Sequence, residues 1–141
     1  MKYCKVANSI KDTEKIALEV ATLCKDKKRA VIFLNGELGV GKTTFTKYFA
    51  QCLGYYDDSS SPTFTILNTY KGNDIKILHF DLYRIDSLAE LEQTGFFEYI
   101  EDEGIVVIEW ADKFNLREFF ENFIEINIKT DNKERIFEIN I

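Results

Sequence analysis

Two segments of the chain are apolar without a break, Ala30-Val31-Ile32-Phe33-Leu34 and Ile105-Val106-Val107-Ile108. Short runs of this kind, rich in β-branched residues, predict strands covered on both faces, as in a parallel sheet between helices. Elsewhere the spacing is helical. Ile16, Ala17, Val20, Leu23 and Cys24 form an apolar stripe that predicts a helix over Asp12–Lys25. Phe45, Tyr48, Phe49 and Leu53 predict another over Thr44–Leu53, stopped by Gly54. Near the C-terminus the pattern alternates, with Ile124, Ile126 and Ile128 before Thr130-Asp131-Asn132 and Phe137, Ile139 and Ile141 after it. This predicts a closing hairpin of two half-exposed strands. Strands are also expected near Thr63–Tyr70 and Ile75–Leu82; the turn chemistry of Lys71-Gly72-Asn73-Asp74 between them makes the pair antiparallel. A short strand near Lys5–Ala7 and a short helix complete the set. Ser87 and Glu90 open that helix in a capping-box pattern, and it ends near Gly95.

The first apolar strand runs into Gly36-Glu37-Leu38-Gly39-Val40-Gly41-Lys42-Thr43, and the second helix follows at once. Strand, loop and helix in this order form the Walker A phosphate-binding arrangement. Its glycines let backbone N–H groups approach phosphate oxygens, and the helix N-terminus favours the same anion. The segment Glu37, Leu38, Gly39, Val40, Gly41, Lys42, Thr43 and Thr44 is therefore the predicted nucleotide cradle. Within it Lys42 reaches the β- and γ-phosphates and Thr43 offers its oxygen to magnesium. The fold expected is α/β: a P-loop NTPase-like mixed, mainly parallel sheet flanked by helices, with antiparallel hairpin additions.

Hydrolysis needs an acidic centre beside the phosphates. Glu109 ends the second apolar strand, in the Walker B position usually filled by Asp, and is the expected second metal-associated residue, directly or through water. In His79-Phe80-Asp81-Leu82-Tyr83-Arg84, alternation puts His79, Asp81 and Tyr83 on one face. Asp81 is positioned to orient the attacking water or hold the metal's outer shell. His79, the lone histidine, reads as a packed, hydrogen-bonded residue. Arg84 suits either a phosphate or an ion pair with Asp81. The stretch Ser60–Thr65 fits a plain surface turn or a γ-phosphate-sensing switch, and chemistry alone does not choose.

The 141 residues suit one domain, residues 1–141, with a single core. Cys4, Cys24 and Cys52 have no paired spacing, which argues for a reducing compartment; Cys24 and Cys52 fall on apolar helix faces as small buried hydrophobes. No stretch reaches the length of a membrane span and no leader pattern opens the chain, so a cytoplasmic location is expected. The net charge of -6 and pI near 4.9 argue against a large nucleic-acid surface, so any RNA contact belongs mainly to a partner. The basic run Lys25, Lys27, Lys28 and Arg29 reads as a solvated helix end.

Taken together, Gly36–Phe45 (GELGVGKTTF), Ser61–Thr65 (SPTFT), His79–Arg84 (HFDLYR), the Glu90–Tyr99 region with Gly95, and Glu109-Trp110 resemble the TsaE family. TsaE proteins are the small bacterial ATPases of tRNA threonylcarbamoyladenosine synthesis. The likeness covers roughly residues 30 to 112, and the combination of SPTFT, FDLYR and IEW is more specific than the loop alone. It implies ATP with magnesium as ligands and association with a heterodimer of TsaD and TsaB. TsaD performs the threonylcarbamoyl transfer to the adenosine beside the anticodon, and the ATPase supports repeated cycles. By position it implies that Lys42, Thr43 and Thr44 serve phosphates and metal, Glu109 the metal, Asp81 hydrolysis and Thr63 a switch role, with Trp110 near the nucleotide. Val40 stands where the family usually has alanine, and the C-terminal hairpin matches only in general pattern.

Two other readings stand beside an ATPase subunit. One is a P-loop small-molecule kinase, which would need an arginine-rich lid that the chain lacks. The other is a regulatory module that senses ATP without hydrolysing it. Only four arginines are present and none occupies an obvious finger position, so weak turnover of the lone protein is expected. No guanine-reading string is evident. Adenine contacts are expected from the loop before helix one and from the last hairpin, though no motif marks them.

Overall fold

The computed structural model of the chain describes residues 1–37, 39–57, 66–71 and 76–141. The elements run β1 (Lys2–Ala7), α1 (Ile10–Cys24), β2 (Arg29–Asn35), α2 (Lys42–Cys52), β3 (Tyr56–Asp57), β4 (Leu67–Lys71), β5 (Lys76–Asp81), α3 (Leu88–Gln93), α4 (Phe96–Tyr99), β6 (Gly104–Glu109), β7 (Ile124–Asp131) and β8 (Glu134–Asn140). Two 3-10 turns, Ala111–Phe114 and Leu116–Phe119, link β6 to β7. One sheet holds all eight strands in the order β1-β8-β7-β2-β6-β5-β4-β3.

This sheet corrects the expectation of a mainly parallel one. Among the described residues, only β7–β2, β2–β6 and β6–β5 are parallel pairs. The outer pairs, β1–β8, β8–β7, β5–β4 and β4–β3, are antiparallel. The hairpins are built into the sheet: β7 hydrogen-bonds to β2 and β5 to β6, so each hairpin supplies both a parallel strand and an antiparallel neighbour. Alternation in the tail marked the hairpin but could not show which edge it would join.

The unbroken apolar strands do divide two cores, as their composition requires. On one face Ile32, Leu34, Ile105 and Val107 pack under α1 and α2 with Phe45, Phe49, Ile126, Phe137 and Ile139. On the other, Val31, Phe33, Val106 and Ile108 pack with Phe80, Leu82, Leu91, Phe96 and Leu116. The helix N-caps follow the sequence: Ser9 accepts from Asp12 N, and Ser87 accepts from Glu90 N at 3.1 Å. Glu90 returns a bond to Asp86 N rather than to Ser87, one residue off the usual box.

Two expected burial positions differ. Leu23 is exposed and Ala21 takes its place in the α1 stripe, whose buried residues Thr13, Ile16, Ala17, Val20, Ala21 and Cys24 keep helical spacing. Cys52, the last residue of α2, is exposed, while Ala50 before it and Tyr55 after it belong to the core. The turn at 71–74 and the 58–65 segment lie outside the described residues, apart from Lys71 in β4.

Candidate functional site

The parallel strands β2, β6 and β5 end on the same edge of the sheet, where open α/β sheets bind ligands. The 36–43 loop leaves β2 there, Glu109 ends β6, and Asp81 ends β5. Register sets Leu34, Glu109 and Asp81 side by side across the three strands. Alternation then aims them. Ile77 on β5 and Val107 on β6 face α1 and α2, so His79, Asp81 and Glu109, at even spacings from them, face that side too. The N-terminus of α2 lies on the same side.

Lys42 closes the arrangement. It is the first residue of α2 and is 5% exposed. Its Nζ donates to Gly36 O at 2.6 Å, lies 3.6 Å from Glu109 Oε1 and sits 4.3 Å from the centre of the Trp110 ring. The other Glu109 oxygen, Oε2, is held by His79 Nε2, and both residues are almost fully buried. The carboxylate is therefore clamped between a lysine and a histidine, and the lysine is folded back over its own loop. A buried charge is tolerable only when paired in this way.

The loop geometry explains two glycines. A Cβ on Gly36 would meet Val40 Cγ2 at 2.7 Å and Ile128 O at 2.8 Å, so nothing larger fits between the loop and β7. Gly41 adopts φ 103°, which other residues rarely hold, and its carbonyl accepts from Phe45 N at 2.9 Å to begin α2. Glu37 and Thr43 are exposed, Gly39 is exposed at the tip, Thr44 is half-buried and Val40 is buried.

Trp110 follows Glu109 in the left-handed region at φ 65°, a conformation costing a bulky residue roughly 1–2 kcal/mol. Its ring lies against Tyr83, centroids 5.1 Å apart, and its Nε1 is buried without a partner among the described residues. Such strain is retained where the surroundings fix it, often at a functional site. Lys113, in the 3-10 turn just beyond, reaches back to the carbonyls of Tyr83 at 2.8 Å and Ile85 at 2.7 Å. One ammonium thus ties the exit of β6 to the loop that follows Asp81 and carries Tyr83. Asp81 is exposed, and its Oδ1 accepts from Tyr83 N at 3.1 Å.

The described residues contain no cluster of three or more His, Cys, Asp or Glu that would cage a metal by themselves. The donor set nevertheless fits magnesium brought by a polyphosphate, since Mg²⁺ in such sites takes one or two protein oxygens, phosphates and water. The Thr43 hydroxyl and the Asp81 carboxylate face solvent, while Glu109, with both oxygens engaged, fits best through water.

The family model described as threonylcarbamoyl adenosine biosynthesis protein TsaE matches residues 7–137. The chain belongs to the TsaE family. Curated relatives agree. It is 37% identical over 133 residues to the TsaE protein of Aquifex aeolicus, covering 93% of this chain and 91% of that one. The match to TsaE of Haemophilus influenzae is 38% over 95 residues, covering 67% of this chain and 60% of the relative. That to TsaE of Bacillus subtilis is 39% over 103 residues, covering 73% and 64%. The aligned part of this chain thus spans less than two thirds of the latter two relatives. Among solved structures, YdiB of Bacillus subtilis superposes with TM-score 0.74 at 30% identity, covering 99% of this chain and 84% of that one.

Measured against the residues expected of a TsaE-like chain, the fold brings together Lys42, Glu109 and Trp110, with Asp81 and Thr43 at the same strand edge. Leu38 and the proposed switch Thr63 lie outside the described residues. Two contributors escaped the sequence reading. Lys113 carries no motif, and its role depends on a turn that only the folded chain forms. Arg135 of β8 lies against Gly41: a Cβ there would stand 2.6 Å from Arg135 Nη1. The signal was hidden because Arg135 is far from the loop in sequence and reaches it only through the order of the sheet.

Proposed function

We propose that the chain binds Mg·ATP on the 36–44 loop and hydrolyses it as the nucleotide-driven subunit of the machinery that makes threonylcarbamoyladenosine beside the tRNA anticodon. The observation that carries this reading is the buried Lys42, held at the mouth of a glycine-rich loop between Gly36 O and the Glu109 carboxylate. A lysine so placed has a ready exchange: an incoming γ-phosphate replaces the Gly36 carbonyl as its acceptor. Backbone N–H groups at the start of α2 receive the β-phosphate. Magnesium, when bound with the nucleotide, supplies charge neutralisation on the β- and γ-oxygens.

Asp81, at the neighbouring strand end, orients a water in line with the γ-phosphorus. The water's oxygen forms the new P–O bond, the bond to the β-phosphate oxygen breaks, and ADP and phosphate leave. His79 keeps Glu109 fixed in direction, and Trp110 shields the Lys42 ammonium from water. Turnover of the lone chain is weak, since none of its four arginines occupies an obvious finger position in the sequence. The Thr63 segment senses the γ-phosphate.

The partners proposed are TsaD and TsaB as a heterodimer, with tRNA reached through them, since a net charge of -6 leaves this chain a poor RNA surface. The setting proposed is the cytoplasm. Among the described residues no helix is long and apolar enough to cross a membrane. The test is ATP hydrolysis by the purified chain with and without the TsaD–TsaB heterodimer, alongside calorimetry with Mg·ATP. Binding followed by partner-stimulated turnover is expected. Absence of nucleotide uptake, or fast turnover of the lone chain, contradicts the reading.

A further inference from the structure

An exposed lysine ordinarily keeps its ammonium in water, because fixing the long stem in one rotamer costs entropy. Lys113 is exposed, yet its Nζ converges on three main-chain carbonyls: Ile85 O at 2.7 Å, Tyr83 O at 2.8 Å and Leu82 O at 3.4 Å. An ammonium has three donors, so this set engages all of them. The backbone is bent to bring it there. The 3-10 turn Ala111–Phe114 that carries Lys113 is bracketed by two non-glycine residues at positive φ, Trp110 at 65° and Asn115 at 52°. Strain of this kind persists where the surroundings hold it, often beside a working site.

The three carbonyls belong to the turn that directs Asp81. The N–H of the Leu82–Tyr83 peptide donates to Asp81 Oδ1 at 3.1 Å. The carbonyl of that same peptide accepts from Ile85 N at 3.1 Å and lies 3.4 Å from the Lys113 ammonium. The carbonyl of the next peptide, Tyr83 O, is held by Lys113 directly. Two successive peptide planes therefore take their direction from one ammonium. On the core side the turn is anchored by the buried Leu82 and Ile85, and by Leu82 N donating to Glu109 O at 3.2 Å. On the outer side Asp81 and Tyr83 are exposed, and there Lys113 supplies the constraint. Resting on the proposed part of Asp81 in hydrolysis, we propose that Lys113 is a positioning residue for that step. Through the Leu82–Tyr83 peptide it fixes the direction of the Asp81 carboxylate, and with it the attacking water, while touching no part of the nucleotide.

The experiment compares the full chain with its Lys113→Met, Lys113→Arg, Asp81→Ala and Asp81→Ala/Lys113→Met variants. Single-turnover hydrolysis of radiolabelled Mg·ATP by excess protein reads the chemical rate, calorimetry with Mg·ADP reads affinity, and circular dichroism reads the fold. A group displaced by a fraction of an ångström predicts that Lys113→Met slows the chemical rate about 10-fold. Its ADP affinity stays within about threefold of wild type, since the lost interaction belongs to the reacting arrangement and not to binding. Lys113→Arg, which keeps charged donors on a long stem, recovers most of the rate. Because Lys113 acts through Asp81, adding Lys113→Met to Asp81→Ala causes no further loss. An unchanged rate in Lys113→Met, beside an Asp81→Ala variant that is slow as proposed, overturns this inference alone. So does a full second loss in the double variant, a defect confined to ADP affinity, or an absence of recovery in Lys113→Arg. Loss of the fold in Lys113→Met would make the residue structural and overturn it too. An Asp81→Ala variant as fast as wild type, or a wild type that hydrolyses no ATP, removes the reading of the site on which the inference stands.

Discussion

The Lys42 ammonium and the Glu109 carboxylate lie 3.6 Å apart, each about 5% exposed or less, with Gly36 O as the lysine's closer acceptor at 2.6 Å. The lysine is therefore poised between two oxygens, and only the carbonyl is readily exchanged for a phosphate.

Replacing Lys42 with alanine removes the one buried cation that faces this carboxylate from the loop. Binding of Mg·ATP should weaken by about 100-fold or more, since a charged group in such a site contributes on the order of 3 kcal/mol. Because Glu109 keeps its bond to His79, the carboxylate is not stranded, and the variant should fold. Titration of Trp110 fluorescence would measure the first effect, since it is the only tryptophan and sits against the lysine; circular dichroism would check the second. Wild-type affinity in the variant would remove Lys42 from the site.

Asp81 separates binding from hydrolysis. It is exposed and contributes one backbone bond, to Tyr83 N, so Asp81→Ala should fold and bind nucleotide within a few-fold of wild type. Its turnover should fall by roughly 100-fold or more, the scale on which a positioned carboxylate assists proton and water placement. Single-turnover hydrolysis beside calorimetry tests the pair of outcomes. Equal loss of both would assign Asp81 to binding.

How much of this was legible depended on whether the signal was local. The two longer helices and the two unbroken strands rest on local patterns, and they fold as those patterns require. Alternation also placed Phe80 and Leu82 in one core and turned His79 the other way. The sheet's order was not legible, because strand pairing is decided by contacts between distant segments. That is why β7 came to lie beside β2, why the parallel centre proved narrower than expected, and why Arg135 reached Gly41 unannounced. The turn of Trp110 at positive φ was equally hidden, since nothing about a tryptophan favours it.

Lys113 offers a test of how the loop after β5 is held. Its Nζ donates to Tyr83 O and Ile85 O at 2.8 and 2.7 Å, with Leu82 O at 3.4 Å. Lys113→Met keeps the stem and removes the donors. The residue is exposed, so water partly replaces those bonds, and the expected loss is about 1–2 kcal/mol in urea unfolding. Hydrogen exchange should rise first around 82–86, where the clamp acts. A variant as stable as wild type, with unchanged exchange there, would show that the loop holds itself.

Cys24 carries a pH signature of the core. Burial pushes its thiol from 9.0 up to about 11, with Lys27 opposing only slightly. The neutral thiol is thus favoured by the fold. Its contribution to stability is full below pH 9 and is lost as the pH rises from 9 to 11, because the unfolded chain gives up the proton first. A shift of that size corresponds to roughly 2–3 kcal/mol. Comparing wild type with Cys24→Ala by urea unfolding at pH 8.5 and pH 10.5, about the two ends of that range, cancels the other titrating groups, and only the wild type should lose the extra stability. At neutral pH a thiol reagent should modify the exposed Cys4 and Cys52 in the folded chain and reach Cys24 only after denaturation. Rapid labelling of all the cysteines without denaturant would mean that α1 opens away from the sheet far more readily than its packing under Val20 and Ala21 allows.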